Sequence, residues 1–217
     1  MKYLIYLFLF AFPILTLAAP VSQITGNSSK VPFTSQSPFG NWKDKRQQDG
    51  CEEASALMAV FWARGKTLTK ENALKEILAI SAYTKKYHKE YRDTSARDAT
   101  EWIYKGYFKY QNVAVKKATS TDSIIAELKS GRLIIAPMDG RALKNPFFTA
   151  PGPGRHMLVI KGYDPVKKEF ITNDPGTHRG ESYRYPEKRL FEALRDYPTG
   201  YHKKITSIEK NFIVVWK

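Results

Sequence analysis

The stretch DGCEEASALMAVFWAR, residues 49–64, decides how the chain folds. It places the only cysteine, Cys51, after an Asp-Gly pair and at the start of a run whose apolar residues recur at helical spacing: Ala54, Leu57, Met58, Phe61 and Trp62. This spacing predicts a helix from Cys51 to Arg64 with a buried apolar face. Asp49 and Gly50 supply the cap and the turn before it.

The segments that follow predict an α+β fold, because helices come first and strands later. We expect helices that begin after Thr69 and Ser95, a helix over Thr121–Ser130, and a late helix over Pro186–Arg195 with proline at its start. Short segments rich in Val, Ile and aromatic residues predict four strands: Leu133–Pro137, Met157–Tyr163, Glu169–Thr172 and Phe212–Trp216.

Composition narrows the class of protein. The chain has 217 residues, of which 42% are hydrophobic and 13% aromatic, which excludes a disordered chain and is typical of one domain with a short extension. One cysteine and four histidines exclude an internal disulfide framework and a cysteine-rich zinc site. We therefore expect no metal and no cofactor.

The first residues predict export. Residues 1–18 resemble a signal peptide, because Lys2 is followed by an apolar run over Tyr3–Leu17 and by small residues. An uncleaved anchor is the alternative, but Pro13 interrupts the run and a spanning helix needs about 20 apolar residues. We expect residues 19–30 to form a linker, residues 31–217 to form one domain, and the protein to be secreted, periplasmic or on the cell surface.

Cys51 is the candidate nucleophile of an enzyme. Backbone N–H groups and the helix dipole at a helix N-terminus favour a thiolate and lower the pKa of a cysteine. The neighbouring charges of Glu52 and Glu53 oppose this effect unless the two carboxylates point away from the sulfur. A small buried core residue is the structural alternative for this cysteine.

A cysteine nucleophile needs a base, and the base needs an orienting group. His156 is the candidate base, since it opens a predicted strand after the Gly/Pro-rich segment 151–155. Asp174, at the end of the next predicted strand, is the candidate orienting group, and Asn173 is its rival. Adjacent strand residues point to opposite faces, so only one of these two should serve.

Side-chain amides upstream of the cysteine are the candidate oxyanion donors, each acting with the backbone N–H of Cys51. There are three of them: Gln36, Gln47 and Gln48. A long loop, Asp139–Arg155, contains three prolines and three glycines, and we expect it to border the cleft, with Phe147 and Phe148 at a subsite.

Four segments together resemble the peptidase domain of the bacteriocin-processing (double-glycine leader) peptidases and their stand-alone relatives, which are papain-like cysteine peptidases: Val31–Gln36, Gly50–Ser55, Gly154–Val159 and Asn173–Gly176. The resemblance implies a papain-like fold with an N-terminal helical half packed on a C-terminal antiparallel sheet. It also implies Cys51 as nucleophile, His156 as general base and then acid, and Asp174 as orienting group. Gln36 matches the family's glutamine, although it lies unusually far from the cysteine.

Hydrolysis of a peptide or protein substrate by a monomer is therefore expected, but cleavage at a double-glycine leader does not carry over to a chain with a predicted export signal. Two other functions stay open. The net charge of +14 favours a non-catalytic module that binds an anionic cell-envelope polymer, although no nucleic-acid motif accompanies the charge. A peptidoglycan amidase that uses the same three residues is the other alternative.

Overall fold

The computed structural model describes residues 24–27 and 30–217. The predicted signal peptide and most of the predicted linker lie outside the described residues. Within the described ranges, one sheet of seven strands is antiparallel at every pairing. The strands are β1 Thr25–Gly26, β2 Val113–Lys117, β3 Leu133–Met138, β4 His156–Asp164, β5 Glu169–Asn173, β6 Tyr183–Pro186 and β7 Asn211–Val215.

The strands lie side by side in the order β2-β7-β3-β4-β5-β6, and β1 pairs with the far end of β4. The helices are α1 Lys45–Gln48, α2 Cys51–Ala63, α3 Lys70–His88, α4 Ala96–Asp98, α5 Thr121–Lys129, α6 Gly140–Leu143 and α7 Glu187–Ala193. A π-helix, Ala99–Tyr107, continues α4. None of the helices in the part of the chain that the structure describes is long and apolar enough to cross a membrane.

Alternation along the central strands builds two cores, one on each face of the sheet. In β4, Met157 and Val159 face the core shared with α2, α3 and the π-helix, whereas Leu158 and Ile160 face the core shared with α5 and α7. Successive strand side chains point to opposite faces, so a strand buried on both sides is apolar throughout. The sheet is therefore the middle layer between two layers of helices.

The predicted α+β class is confirmed, and so is the packing of the N-terminal helices on an antiparallel sheet. Two features differ from expectation. The second face of the sheet is also covered by helices, α5 and α7, and the segment after Ser95 becomes a short α-helix followed by a π-helix rather than one α-helix. The predicted long loop Asp139–Arg155 includes the one-turn helix α6.

Candidate active site

The start of α2 places Cys51 at the first helical position. Gly50 precedes it as N-cap, where an added Cβ would lie 2.6 Å from the Arg46 carbonyl oxygen, so the tight link between α1 and α2 requires glycine. Residues of the first helical turn have no intrahelical acceptor for their N–H groups, which leaves the Cys51 N–H available as a donor. The helix is buried on nearly every side, and Cys51 itself is 7% exposed.

The β4–β5 pair brings His156 to Asp174. Val159 lies opposite Asn173, so the register continued by one residue sets Leu158 opposite Asp174. His156 lies on the same face as Leu158 and diagonally next to Asp174. Nε2 of the imidazole is 2.7 Å from Asp174 Oδ1, and both side chains are almost wholly buried.

Asn173 faces the other way. Its amide nitrogen donates to the carbonyl oxygens of Val31 and Pro32, and its Oδ1 accepts from the Ser182 N–H. The alternation of strand side chains therefore assigns the imidazole contact to the aspartate and gives the asparagine a structural contact.

Asp174 is held as a buried carboxylate by four donors. Oδ1 accepts from His156 and from the Gly176 N–H, and Oδ2 accepts from the Tyr185 hydroxyl at 2.6 Å and the Asn145 amide at 3.3 Å. Burial alone would raise the pKa of Asp174, but the charge of His156 and these hydrogen bonds hold that pKa below its usual value. The same burial, with the Asp174 charge, raises the pKa of Tyr185.

The imidazole is also held by packing. The Phe148 ring meets it edge-on, with ring centroids 5.2 Å apart. A Cβ on Gly176 would lie 2.9 Å from His156 Cε1 and 2.8 Å from Phe148, so only glycine fits beside the two rings. The ring is thus positioned by an aspartate on one side and by close contacts on the others.

Two contacts join the cysteine helix to this end of β4. Ser55 Oγ donates to the Met157 carbonyl at 3.1 Å, one helical turn beyond Cys51 and one residue beyond His156. The Tyr197 hydroxyl lies 2.9 Å from Glu52 Oε1 and 3.3 Å from the His156 carbonyl oxygen. A helical turn advances about 5.4 Å along the axis. These contacts join the helix that begins with Cys51 to the end of β4 that begins with His156, and both residues line one cleft.

The Cys51 thiol hydrogen-bonds to Glu52 Oε2 at 3.1 Å rather than to the imidazole of His156, which bonds Asp174. Glu52 therefore does not point away from the sulfur, since its carboxylate lies between the thiol and the Tyr197 hydroxyl. Burial, followed by the charge of Glu52, raises the pKa of Cys51 well above its usual value. Glu53 does point elsewhere, to Ser81 Oγ at 3.0 Å.

The three candidate glutamines have different surroundings. Gln36 lines the cleft, but its amide nitrogen donates to the carbonyl oxygens of Gln47 and Gln48, at 3.1 and 2.7 Å. The Gln47 side chain accepts from Ser37 and lies outside the cleft lining, whereas Gln48 lines the cleft and accepts from Lys45. The Gln36 amide thus holds the segment before Cys51 in place through two hydrogen bonds. The oxyanion role of each glutamine stays a prediction.

The cleft has a volume of about 410 Å³ and lies over Cys51 and His156. Residues 148–155 of the long loop form one wall, as the sequence predicts for this loop. Phe148 belongs to that wall, but Phe147 packs instead against Tyr183 and Arg179. The cleft is also lined by residues that the sequence analysis did not identify: Trp42, Asp93, Tyr201 and His202.

Sequence reasoning also missed the residues that support the site. Tyr185, Asn145 and Tyr197 are the principal ones, and they bond to residues 11, 29 and 145 positions away along the chain. Their neighbours in the sequence are mixed polar and apolar residues, so no local pattern identifies a partner. Within residues 24–27 and 30–217, no group of three or more His, Cys, Asp and Glu side chains is placed to hold a metal ion.

Comparisons with known proteins agree with this geometry. The model of the Peptidase_C39 like family matches residues 28–204. A crystal structure from Bacillus anthracis, described as that of a "putative C39-like peptidase", superposes with a TM-score of 0.58 at 16% identity and covers 90% of this chain and 98% of that one. At this identity the likeness shows the fold. No curated protein matches the sequence.

Proposed function

Because the chain belongs to the Peptidase_C39 like family, we propose that it is a cysteine peptidase that hydrolyses peptide bonds through Cys51, His156 and Asp174. The observation that carries the proposal is the buried His156–Asp174 pair, 2.7 Å apart, at a cleft that Cys51 also lines. A buried imidazole oriented by a carboxylate, beside a thiol at a helix N-terminus, is the arrangement that thiol acyl transfer requires.

The proposed reaction uses the two ring nitrogens differently. Asp174 keeps a proton on Nε2, so Nδ1 is free to take the thiol proton of Cys51. The thiolate then attacks the carbonyl carbon of the substrate, and the imidazolium returns its proton to the leaving amine. Water releases the acyl group from the sulfur by the reverse proton transfers, which restores the free enzyme.

The tetrahedral intermediate needs hydrogen-bond donors for its oxyanion. The Cys51 N–H is one, since it lies in the first helical turn. For the second we retain Gln36, which lines the cleft, with Gln48 as the alternative on the same wall. Replacing the true donor by alanine should lower kcat by about 10²–10³-fold. Gln47→Ala, outside the cleft lining, is the matched control.

Hydrolysis of a quenched-fluorescence peptide library tests the proposed function. Cys51→Ala should abolish turnover, and His156→Ala should lower it by about 10²-fold or more. His88→Ala is the matched control, because His88 stacks on Trp102 away from the cleft and should leave turnover unchanged. Hydrolysis that survives Cys51→Ala would contradict the proposal, and release of peptides from muropeptides alone would favour the amidase.

We propose further that the protein works outside the cytoplasm, on a peptide or protein substrate, after removal of residues 1–18. Support comes from the apolar run after Lys2 and the small residues at its end. Intact-mass measurement of the protein recovered from a bacterial culture should show a chain that begins at Ala19. A chain that still begins at Met1 in the membrane fraction would favour the anchor.

A further inference from the structure

Glu52 is a buried carboxylate in direct contact with the reacting sulfur. Its side chain is 1% exposed, with Oε2 3.1 Å from Cys51 Sγ and Oε1 2.9 Å from the Tyr197 hydroxyl. Among the residues that the structure describes, no Lys, Arg or His forms an ion pair with it. An ionised carboxylate in such a site is costly, and a hydrogen bond to a thiol recovers only part of that cost.

The groups around Glu52 come from four places in the fold. Cys51 and Glu53 lie on its own helix, Tyr197 follows α7, Asp93 follows α3, and the His156 main chain opens β4. The Asp93 carboxylate is 3.7 Å from Arg155 Nε, which offsets part of its charge. Burial, followed by the charge of Asp93, raises the pKa of Glu52 to about 7, and burial raises the pKa of Glu53 well above its usual value.

We propose that Glu52 is a catalytic residue that must take up a proton before Cys51 attacks, and that its carboxylic acid then donates a hydrogen bond to the thiolate. The inference rests on the proposed function, in which Cys51 is the nucleophile. It explains why a glutamate contacts the sulfur: an ionised Glu52 holds the thiol in its neutral form at rest, and a protonated Glu52 stabilises the form that reacts.

The proton balance of the step is simple. The step starts from the Cys51 thiol, an imidazole whose proton is on Nε2, and the Glu52 carboxylate. One proton from solvent goes to Glu52, the thiol proton goes to His156 Nδ1, and no bond other than these proton bonds changes. The products are a thiolate, an imidazolium and a carboxylic acid, so the net charge rises by the one proton taken up. Alkaline pH removes that proton from Glu52 and returns the thiol to its resting form.

The rate at which iodoacetamide alkylates Cys51 tests this inference without a substrate, and the single cysteine makes the readout unambiguous. In Glu52→Gln an amide donates to the sulfur at every pH, and a nearby negative charge is lost, a change that moves a pKa by about 1–3 units. We expect alkylation at pH 8 to be faster than in the wild type by about tenfold or more. The difference should disappear near pH 5.5, where the wild-type Glu52 is itself protonated.

Glu53→Gln is the matched control, since Glu53 is equally buried and contacts Ser81 rather than the sulfur. It should leave the pH profile of alkylation unchanged. A Glu52→Gln profile parallel to the wild-type profile, or slower at pH 8, would overturn the inference. A wild-type protein that hydrolyses no peptide would instead overturn the proposed function. The failure of the inference and the failure of the proposed function are therefore distinguishable.

Tyr197→Phe gives a second, independent variant should Glu52→Gln fail to fold. It removes the hydroxyl that stabilises the Glu52 carboxylate, so Glu52 should stay protonated to higher pH and alkylation at pH 8 should again be faster. The S–H stretching band of the wild-type protein offers a measurement without substitution. It should lose intensity between pH 8 and pH 5.5 as the thiol proton passes to His156, and a band of constant intensity would overturn the inference.

Discussion

The Asp174 carboxylate accepts four hydrogen bonds, and each of them orients the imidazole or keeps the carboxylate charged. Gly180 belongs to the same arrangement. A Cβ at this glycine would lie 1.8 Å from the Asp174 carbonyl oxygen, so the turn that follows β5 closes on Asp174 only with glycine there. The position of one carboxylate is thus fixed by its own bonds and by a neighbouring backbone.

Asp174→Ala should lower kcat/KM by about 10²-fold or more, because His156 loses both its tautomer control and its counter-charge. Asp174→Asn should fall between the wild type and the alanine variant. Its Oδ1 still accepts from His156, but its amide nitrogen would face the donor nitrogen of Asn145. Steady-state hydrolysis at several pH values measures the order, and equal activity of the two variants would show that the charge matters and the hydrogen bond does not.

At the residue scale, the chemical role of a side chain is easier to predict from the sequence than its orientation in the folded protein. A helix-start cysteine, a strand-start histidine and a strand-end aspartate are suggested by residue type and local pattern. The orientation of Glu52 is not, because it depends on Tyr197, which lies 145 positions along the chain. The bonds of the Gln36 amide span only 11 and 12 residues, but they too depend on the folded path of the segment before Cys51, which no local pattern predicts.

The element that positions Cys51 is α2, and this helix is surrounded by α3, the π-helix and the sheet. A helix buried all round owes its position to packing rather than to one apolar stripe. Leu57 is completely buried in that core, beside the turn that begins with Cys51. The precision of the nucleophile therefore depends on the fit of this helix between its neighbours.

Leu57→Ala should lower the free energy of unfolding by about 2–5 kcal/mol, the range for removing a leucine side chain from a packed core. Urea denaturation followed by circular dichroism measures the change. Val166→Ala is the control, since Val166 is 71% exposed in the β4–β5 turn and should cost no more than about 0.5 kcal/mol. Comparable losses in the two variants would show that α2 is not the packing centre.

The central strands and α2 are predicted to within one or two residues, because buried β3, β4 and β7 each contain an apolar run rich in Val, Ile or Leu. Three strands were not predicted: β1, which is two residues long and lies in the predicted linker, and β2 and β6, which are the ends of the strand order. Val113–Lys117 ends in two lysines and Tyr183–Pro186 ends in proline, and edge strands tolerate both. Segments of this kind form strands because they pair with neighbouring strands, and a local sequence pattern does not show which neighbours those are.

At the scale of the whole molecule, stability should depend on pH in two opposite ways. The folded pKa of Glu52, about 7, lies above its ordinary value of 4.5, so the folded state holds that proton more tightly and stability falls as pH rises between these values. The pKa of Glu53 is raised in the same direction. The pKa of Asp174 is lowered, so its contribution is present above its ordinary value of 3.8 and is lost as pH falls further.

We therefore expect a higher Tm at pH 5.5 than at pH 8, and a renewed decrease below about pH 4. Differential scanning calorimetry in buffers of equal ionic strength measures both slopes. Glu52→Gln should flatten the slope between pH 5.5 and pH 8 and leave the acid slope in place. A Tm that rises steadily from pH 5.5 to pH 8 would contradict this assignment of the buried glutamates.

The net charge of +14 acts over the whole surface rather than at the site. We expect the protein to bind a teichoic-acid or other polyanion preparation in a pull-down, with binding that weakens as salt rises from 50 to 500 mM because surface charges are screened. Cys51→Ala should bind equally well, since the charge does not depend on the thiol. Binding that is lost with Cys51, or that ignores salt, would contradict a general electrostatic attraction.

The sheet order has a consequence for the part that β7 plays. This strand lies inside the sheet and bridges β2 to β3, although no residue of β7 lines the cleft. A variant that is cut before Asn211 keeps Cys51, His156 and Asp174 but lacks the strand that joins β2 to β3. In such a variant β3 becomes an open sheet edge, so the truncation removes support from the sheet without removing any residue that lines the cleft.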